Sequence, residues 1–371
     1  MNAPENLELH TVAELDAQLR RSHSLAHCII QSVDLADRGA ALATVEVRGA
    51  LFLGCTMDVE LENSLRHRGA LVFPTLPELP FNPYQPKLYA PDDLYDAVIA
   101  GREYADSRDA LVYAWSLKQG PQPDLDATLS MALHDHAISD ALDEMCAATD
   151  PTTSIGIMGG HAAARGTDTY LAAARLAGGL ARAGRLVMTG GGPGAMEAAN
   201  LGAHLAQQPD QLAAAVAVLA EHADFHDDLT AWARAALAVR ERWQATGTSV
   251  GIPTWFYGHE PPNGFATHVA KYFSNAIRED TLLQRCKGGI VYLPGAAGTV
   301  QEIFQAATGN YYAAAGATTT PMVLVDVEHW TTTLPAWPLL ESLGQDKQMG
   351  TALFLARDVD EAAELLLGRL A

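Results

Sequence analysis

The second half of the chain alternates short apolar runs with stretches of helical pattern, and this alternation constrains the fold more than any other feature. Six runs predict buried strands, at 154–158, 185–189, 249–252, 289–293, 321–325 and 352–355. Strands that are separated by helices pair in parallel, and helices cover both faces of the sheet. The pattern therefore predicts an α/β fold with a Rossmann-like, doubly wound parallel sheet, whose ligands bind beyond the carboxyl ends of the strands.

A chain of 371 residues is too long for one ordinary core, which predicts two domains. We expect an N-terminal α/β accessory module over residues 1–150 and a larger Rossmann-like domain over 151–371. The larger domain carries a helical insertion at about 201–247, which we predict to form two helices. In the module we predict a helix from Thr11 to Arg21. We identify no internal repeat anywhere in the sequence. Further module elements are strands at 41–47, 51–53 and 71–73 and helices at 93–113 and 125–148.

Composition excludes several classes of protein. The net charge of −20 argues against a nucleic-acid partner, because binding to a phosphate backbone needs clustered Lys and Arg. No apolar run reaches the roughly 18 residues that a membrane span needs, and the N-terminus lacks the pattern of a signal peptide. The four cysteines show no metal-ligand spacing, and we interpret His134, Asp135 and His136 as a helix surface. We therefore expect a cytoplasmic protein with no metal and no membrane partner.

Three glycine-rich turns follow predicted strands: Gly159 with Gly160, residues 190–194 and residues 295–298. Glycine lets the backbone approach a ligand closely, and the N-terminus of a following helix offers free N–H groups to an anion. The alternative for each is a tight turn without a ligand. The turn at 190–194 does not have the G-x-G-x-x-G spacing, so a dinucleotide site is poorly supported.

The stretch "PGAAGTVQE", residues 294–302, has two interpretations. In the first, Thr299 and Glu302 form a capping box, with Thr299 as the residue that caps the helix. In the second, the amides of residues 295–299 and the Thr299 hydroxyl bind a phosphate, and Glu302 faces the ligand one helical turn deeper. An anionic carboxylate there suits a cationic, oxocarbenium-like sugar transition state.

Two arginines and an aromatic stretch are further candidates. Arg278 is either part of a solvated ion pair or a guanidinium that grips a phosphate or a ribose hydroxyl. Arg165, in the turn after Gly160, is a second candidate for gripping phosphate. The aromatic stretch at 255–263 either stacks on a nucleobase or belongs to the core or an interface.

The order of these features resembles the LOG (LONELY GUY) family, also labelled "lysine decarboxylase-like". The resemblance rests on "GGGPGAMEAAN" (190–200), Arg278 and "PGAAGTVQE", which corresponds to the family's PGGxGTxxE motif with Ala296 in place of the second glycine. It covers roughly residues 150–360. The extra N-terminal module and "EPPN" (260–263) are most similar in layout to the larger bacterial nucleotide 5′-monophosphate nucleosidases.

The resemblance implies a phosphoribohydrolase that cleaves nucleoside 5′-monophosphates such as AMP, or cytokinin nucleotides, to a free base and ribose 5-phosphate. It implies that Glu302 and Arg278 are catalytic, that no cofactor is needed and that the protein is a homodimer or a larger homo-oligomer. It assigns nucleotide and phosphate binding to Gly190, Gly191, Gly192, Pro193, Gly194, Met196 and Glu197, and to Gly295, Ala296, Ala297, Gly298 and Thr299. The alternative is a nucleotide-binding or sensing protein without catalysis.

Overall fold

The computed structural model describes residues 7–76, 78–256, 260–314 and 316–369. The chain forms two compact units. The smaller unit consists of Met1–Lys87 and Gln119–Ala141, and the larger one consists of Leu88–Lys118 and Leu142–Ala371. The larger unit thus includes a segment that precedes the boundary predicted at residue 150.

The smaller unit is built around a four-stranded parallel sheet in the order β1-β2-β3-β4. Its register places Leu9, Ile30, Phe52 and Val72 side by side in a buried row. Successive residues of this row are 21, 22 and 20 positions apart in the sequence. The unit therefore repeats one strand, together with the segment that leads to the next strand, at a nearly constant interval. The sequence analysis missed this repeat because each strand is only two or three residues long. The elements are β1 (Glu8–Leu9), α1 (Val12–Ser22), β2 (Ile29–Gln31), α2 (Gly39–Leu42), β3 (Leu51–Leu53), α3 (Val59–His67) and β4 (Leu71–Phe73).

Several predictions for the first half are confirmed and others are wrong. Thr11 caps α1 in a complete capping box, and the strands at 51–53 and 71–73 are present. The strand predicted at 41–47 is wrong, because a short helix ends at Leu42 and Glu46 makes only an isolated bridge to Ser24. The histidine at 134 is not on a helix surface: its ring is fully buried and packs edge-on against Phe81.

The helix predicted at 93–113 is broken into shorter pieces. Gly101 adopts a φ of +79°, which ends the first helical stretch, and a 3₁₀ turn at Tyr104–Asp106 precedes the next helix. Left-handed backbone cannot continue an α-helix, and glycine adopts it at little cost. The observed helices are α4 (Pro91–Leu94), α5 (Asp96–Ile99), α6 (Arg108–Gln119) and α7 (Leu125–Cys146).

The larger unit contains a seven-stranded sheet in which all pairs are parallel, in the order β11-β10-β9-β5-β6-β7-β8. This confirms the predicted α/β fold with a doubly wound parallel sheet. All six predicted strands are present, and the seventh, β8, was missed because two residues carry no periodicity. The strands are β5 (Ser154–Met158), β6 (Leu186–Thr189), β7 (Ser249–Gly251), β8 (His268–Val269), β9 (Gly289–Tyr292), β10 (Met322–Val325) and β11 (Leu353–Ala356).

Helices of the larger unit follow the predicted alternation. Thr167 caps the first of them, as predicted, by accepting a hydrogen bond from the Tyr170 amide. The region at 201–247 contains two helices separated near residue 225, also as predicted. The helices are α8 (Asp168–Arg182), α9 (Ala195–His204), α10 (Leu212–Ala220), α11 (Leu229–Arg242), α12 (Asn275–Arg285), α13 (Ala297–Tyr311), α14 (Trp337–Gly344) and α15 (Val359–Arg369).

None of the helices in the described part of the chain has both the length and the apolar character that crossing a bilayer requires. The core of the larger unit instead comes from buried strand residues and from small residues on the helices. Helices α8 and α9 pack closely because glycine and alanine occupy their shared face. The backbone of Gly202 on α9 approaches the Ala174 carbonyl of α8 so closely that a Cβ at residue 202 would lie 1.9 Å from that oxygen.

We expect Gly202→Ala to lower the free energy of unfolding by about 1–3 kcal/mol, because the added methyl group forces α8 and α9 apart. Gly309→Ala in α13 is the matched control, since a Cβ there meets nothing within 4 Å. Alanine favours a helix over glycine, so the control should be neutral or stabilising by about 0.5–1 kcal/mol. Urea unfolding of both variants checks the difference, and equal stability would contradict the close packing.

Candidate functional site

The strand order of the large sheet reverses at β5, and the three glycine-rich turns meet there. The chain builds β6, β7 and β8 on one side of β5 and β9, β10 and β11 on the other. Gly160 links the turns: its N–H donates to the Pro294 carbonyl (3.2 Å), and its carbonyl accepts from the Ala195 N–H (3.2 Å). Such a switch point leaves a crevice between the two directions of the sheet, where ligands of α/β proteins bind.

A cavity of about 580 Å³ lies at this switch point. It is large enough for a nucleotide-sized ligand. Predicted site residues from the turns after β5 and β9 and from α9, α12 and α13 line it. They are Gly159, Gly160, Met196, Arg278, Gly295, Ala296, Gly298, Thr299 and Glu302.

The turn after β9 leads directly into α13 without a side-chain cap. The helix begins at Ala297, and its cap residue Ala296 makes no capping hydrogen bond. The capping-box interpretation of Thr299 and Glu302 is therefore wrong, because Thr299 is already the third helical residue. The first intrahelical bond runs from Val300 to Ala296 (3.0 Å), so the three preceding amides have no partner within the helix.

The loop geometry explains which small residues it needs. A Cβ at residue 295 would lie 2.1 Å from the Thr299 hydroxyl, so only glycine fits there. A Cβ at residue 298 would meet nothing within 4 Å, which leaves the surface over the first turn of α13 open. Ala296 has a φ of −120°, outside the left-handed region that favours glycine. Alanine in place of the second glycine of the LOG motif therefore does not have to adopt the left-handed backbone that favours glycine.

Glu302 and Arg278 face each other across α13 and α12. Arg278 Nη1 lies 3.4 Å from Glu302 Oε1, and each residue is about 8% exposed. The alternative of a solvated ion pair for Arg278 is wrong, since the pair is buried. Arg278 lines the cavity, and its buried Nε finds no hydrogen-bond partner among the described residues.

Burial raises the pKa of Glu302 from 4.5 to about 7, which means that the carboxyl group is poised to change its charge near neutral pH. The Arg278 guanidinium opposes this rise, while the negative charge of Glu279 adds to it. Glu279 is itself buried, lines the same cavity and accepts a hydrogen bond from Gln301. A perturbed carboxyl group in a cleft is typical of functional sites.

The turn after β6 is held in shape by its glycines. Gly191 and Gly194 adopt φ values of +74° and +72°, and a Cβ at either would clash with neighbouring backbone. A Cβ at Gly190 or Gly192 would instead crowd the Met196 side chain, at 2.7 and 3.0 Å. The four glycines therefore let this turn lie flat against its neighbours and place Met196 on the cavity wall.

Two asparagines that sequence reasoning missed hold this turn in place. Asn263 donates its side-chain amide to the Gly192 carbonyl (3.2 Å) and to Asn200 Oδ1 (2.9 Å), and its backbone N–H donates to the Gly191 carbonyl (2.8 Å). Asn200 in turn donates to the Ser249 hydroxyl (3.0 Å). Each asparagine is the last residue of a motif named above, "GGGPGAMEAAN" or "EPPN", so the motifs could have identified both residues.

Arg165 and Glu197, both predicted to bind the ligand, bind each other instead. Arg165 Nε donates to Glu197 Oε2 (2.9 Å), and Nη2 donates to Oε1 (2.5 Å). Nη1 donates to the Trp232 carbonyl (2.9 Å), and the guanidinium lies 4.0 Å from the Trp232 ring centre. Both side chains are almost completely buried. With all three guanidinium nitrogens occupied, Arg165 supports α9 rather than gripping a phosphate.

The remaining predicted residues lie around this cavity rather than in its wall. Ala297 is exposed at the start of α13. Pro193 and Gly194 line a second cavity of about 260 Å³, together with Arg165 and Glu197.

Several wall residues carry chemistry that the sequence analysis did not identify. They are His161, Thr169, Glu260, Glu279 and His329. The His161 ring lies 3.3 Å from the Glu260 carboxylate. Because His161 directly follows Gly160, its position next to a glycine-rich turn could have identified it from the sequence. His329 has no motif around it.

The aromatic stretch at 255–263 is only partly described, and Tyr257, Gly258 and His259 lie outside the described residues. Trp255 is buried, donates to Asp109 (2.8 Å) and packs on Phe273 at 4.7 Å between ring centres. Its ring is therefore part of the core and not a platform for a nucleobase.

Comparison with known proteins gives a likeness of fold only. No family model and no curated protein matches the sequence. A molybdenum cofactor binding protein from the phototrophic bacterium Rippkaea orientalis is 17% identical over 59% of this chain and 97% of its own, with a TM-score of 0.38. The molybdenum cofactor carrier protein of Chlamydomonas reinhardtii is 18% identical over 58% of this chain and 97% of its own, with a TM-score of 0.36. At these values the likeness assigns neither a ligand nor an activity to this chain.

We expect Arg278→Met to raise the pKa of Glu302 above 7, because the substitution removes the positive charge that opposes the effect of burial. The carboxyl ¹³C shift of Glu302, assigned by its loss in Glu302→Gln, reports that pKa. Arg285→Met, on the same helix but paired with Asp143, is the matched control and should leave the pKa in place. A fall in the pKa on removal of Arg278 would contradict the described pair.

Proposed function

We propose that this protein hydrolyses the N-glycosidic bond of nucleoside 5′-monophosphates and releases a free base and ribose 5-phosphate. The observation that carries the proposal is the buried Glu302 carboxyl group, paired with Arg278. It lies one helical turn inside α13, whose uncapped N-terminus faces the same cavity. A phosphate site at the helix N-terminus and a carboxylate about one turn deeper suit the two ends of a ribose 5-phosphate group.

The first turn of α13 supplies the phosphate site in this proposal. The amides of Ala297, Gly298 and Thr299 and the positive end of the helix dipole attract an anion without any lysine. This route suits a chain with a net charge of −20. Fixing the phosphate also supplies binding energy at a distance from the bond that breaks, which catalysis can use.

Glu302 and Arg278 act at the sugar. As the bond between C1′ and the base nitrogen breaks, the bonding electrons leave with the base and positive charge develops on the ribose. The ionised Glu302 stabilises that charge and orients a water molecule, whose oxygen forms the new bond to C1′. The proton lost by the water balances the proton gained by the departing base. Arg278, whose guanidinium belongs to the cavity lining, positions the ribose or the phosphate.

The resemblance to the LOG family supports the same reaction, because its motifs correspond to the residues around the cavity in the same chain order. The alternative is a protein that binds or senses nucleotides without cleaving them. Both alternatives use the same phosphate site, so binding alone does not separate them. Release of free base does.

We expect the purified protein to release free base from at least one of AMP, GMP, IMP, CMP, UMP and isopentenyl-AMP. Chromatography of the reaction mixture measures the released base. Glu302→Gln should lower the rate by about 10²–10³-fold, because it removes the charge that stabilises the transition state. Glu364→Gln on the exposed side of α15 is the matched control and should retain activity. If the wild type binds nucleotide but releases no base, the hydrolase proposal is wrong and the nucleotide-sensing alternative remains.

The pH dependence gives an independent test of the role of Glu302. If the ionised carboxylate is the active form, kcat/KM should rise with pH and level off above about 7, the pKa of Glu302. The sign follows because a carboxyl group loses its proton above its pKa. A rate that falls as pH rises through 7 would mean that the protonated form is required, and Glu302 would then act as a general acid.

A further inference from the structure

The segment that follows β10 has two uncommon backbone features next to the cavity. Asp326 adopts a φ of +81°, which is rare for a residue with a side chain. Three residues later the chain forms a π-helical turn, His329–Thr333. Such features cost energy, and they occur most often at functional sites.

Both features fix the position of one side chain, His329. Its backbone N–H donates to Asp326 Oδ1 (3.0 Å), and its ring lies edge-on to the fully buried Trp330, 4.5 Å between ring centres. The ring thus has little freedom to turn. His329 lines the cavity, and β10 pairs directly with β9, the strand that precedes the proposed phosphate loop.

The His329 ring reaches that loop. Its Nε2 lies 3.1 Å from the carbonyl oxygen of Gly295. A carbonyl oxygen only accepts hydrogen bonds, so Nε2 carries the proton in this contact. Residue 295 must be glycine for this contact to form in the observed loop, because the Thr299 hydroxyl leaves no room for a Cβ.

We propose that His329 is a positioning residue for the phosphate loop. Its Nε2–H holds the Gly295 carbonyl, and through it keeps the amides of residues 297–299 directed at the 5′-phosphate of the ligand. The inference rests on the proposed function and adds to it that affinity for the phosphoryl group depends on a residue outside the loop and outside its helix. The dependence explains why an otherwise unfavourable backbone persists after β10.

The loss of one positioning hydrogen bond should weaken phosphate binding by about five- to tenfold. We expect His329→Ala to raise the Kd for ribose 5-phosphate by this factor in a calorimetric titration. His329→Gln places an amide N–H near the position of Nε2, so it should restore the affinity to within about threefold of the wild type. His136→Ala is the matched control, because His136 is exposed on α7 of the smaller unit.

Three outcomes would overturn the proposal, and they are distinguishable. If His329→Ala binds ribose 5-phosphate as tightly as the wild type, the loop does not need the ring. If the alanine and glutamine variants are equally weak, the hydrogen bond is not the cause. In both cases the proposed function stands. If the wild type itself binds no ribose 5-phosphate, the phosphate site is absent and the proposed function fails together with the role of His329.

Discussion

Strand β5 pairs with β6 on one side and with β9 on the other, so the sheet grows outward from it in two directions. The turns after these three strands must therefore share one space, and each can enter it only if its residues are small. Gly160 bonds to the turns on both sides, which ties the three into one unit. The position of the cavity is a consequence of strand order, and the chemistry within it comes from the helices that begin or end there.

Burial of charge is the main cost of this arrangement. Removing a carboxylate or a guanidinium from water costs several kcal/mol, and a buried pair recovers this only with good geometry and further hydrogen bonds. The pair formed by Arg165 and Glu197 has both, since every guanidinium nitrogen has a partner. Among the described residues, the pair formed by Arg278 and Glu302 has neither, with one contact of 3.4 Å and an Nε that finds no partner there.

The sequence predicted the parallel sheet of the larger unit well, because every strand of four or more residues carries its own apolar signal. It also predicted which turns approach the cavity, since glycine and helix starts are local features. It failed where the answer depends on distant residues. His329 has no local pattern, and its role follows only from the pairing of β10 with β9. Likewise, nothing near Arg165 in the chain indicates that Glu197 occupies it.

The two arginines show how a structure separates a supporting cation from one that is available to a ligand. Both were candidates for gripping a phosphate, Arg278 on a helix that matches the family's arginine and Arg165 as the second candidate in a glycine-rich turn. Arg165 is enclosed by a carboxylate, two carbonyl oxygens and an indole ring, so binding a phosphate would leave Glu197 buried and unpaired. Arg278 has one carboxyl contact, at 3.4 Å to Glu302, and burial raises the pKa of that carboxyl group to about 7, so this guanidinium is held less firmly than that of Arg165. The hydrogen bonds that each guanidinium makes, and not its proximity to a motif, therefore separate the two residues.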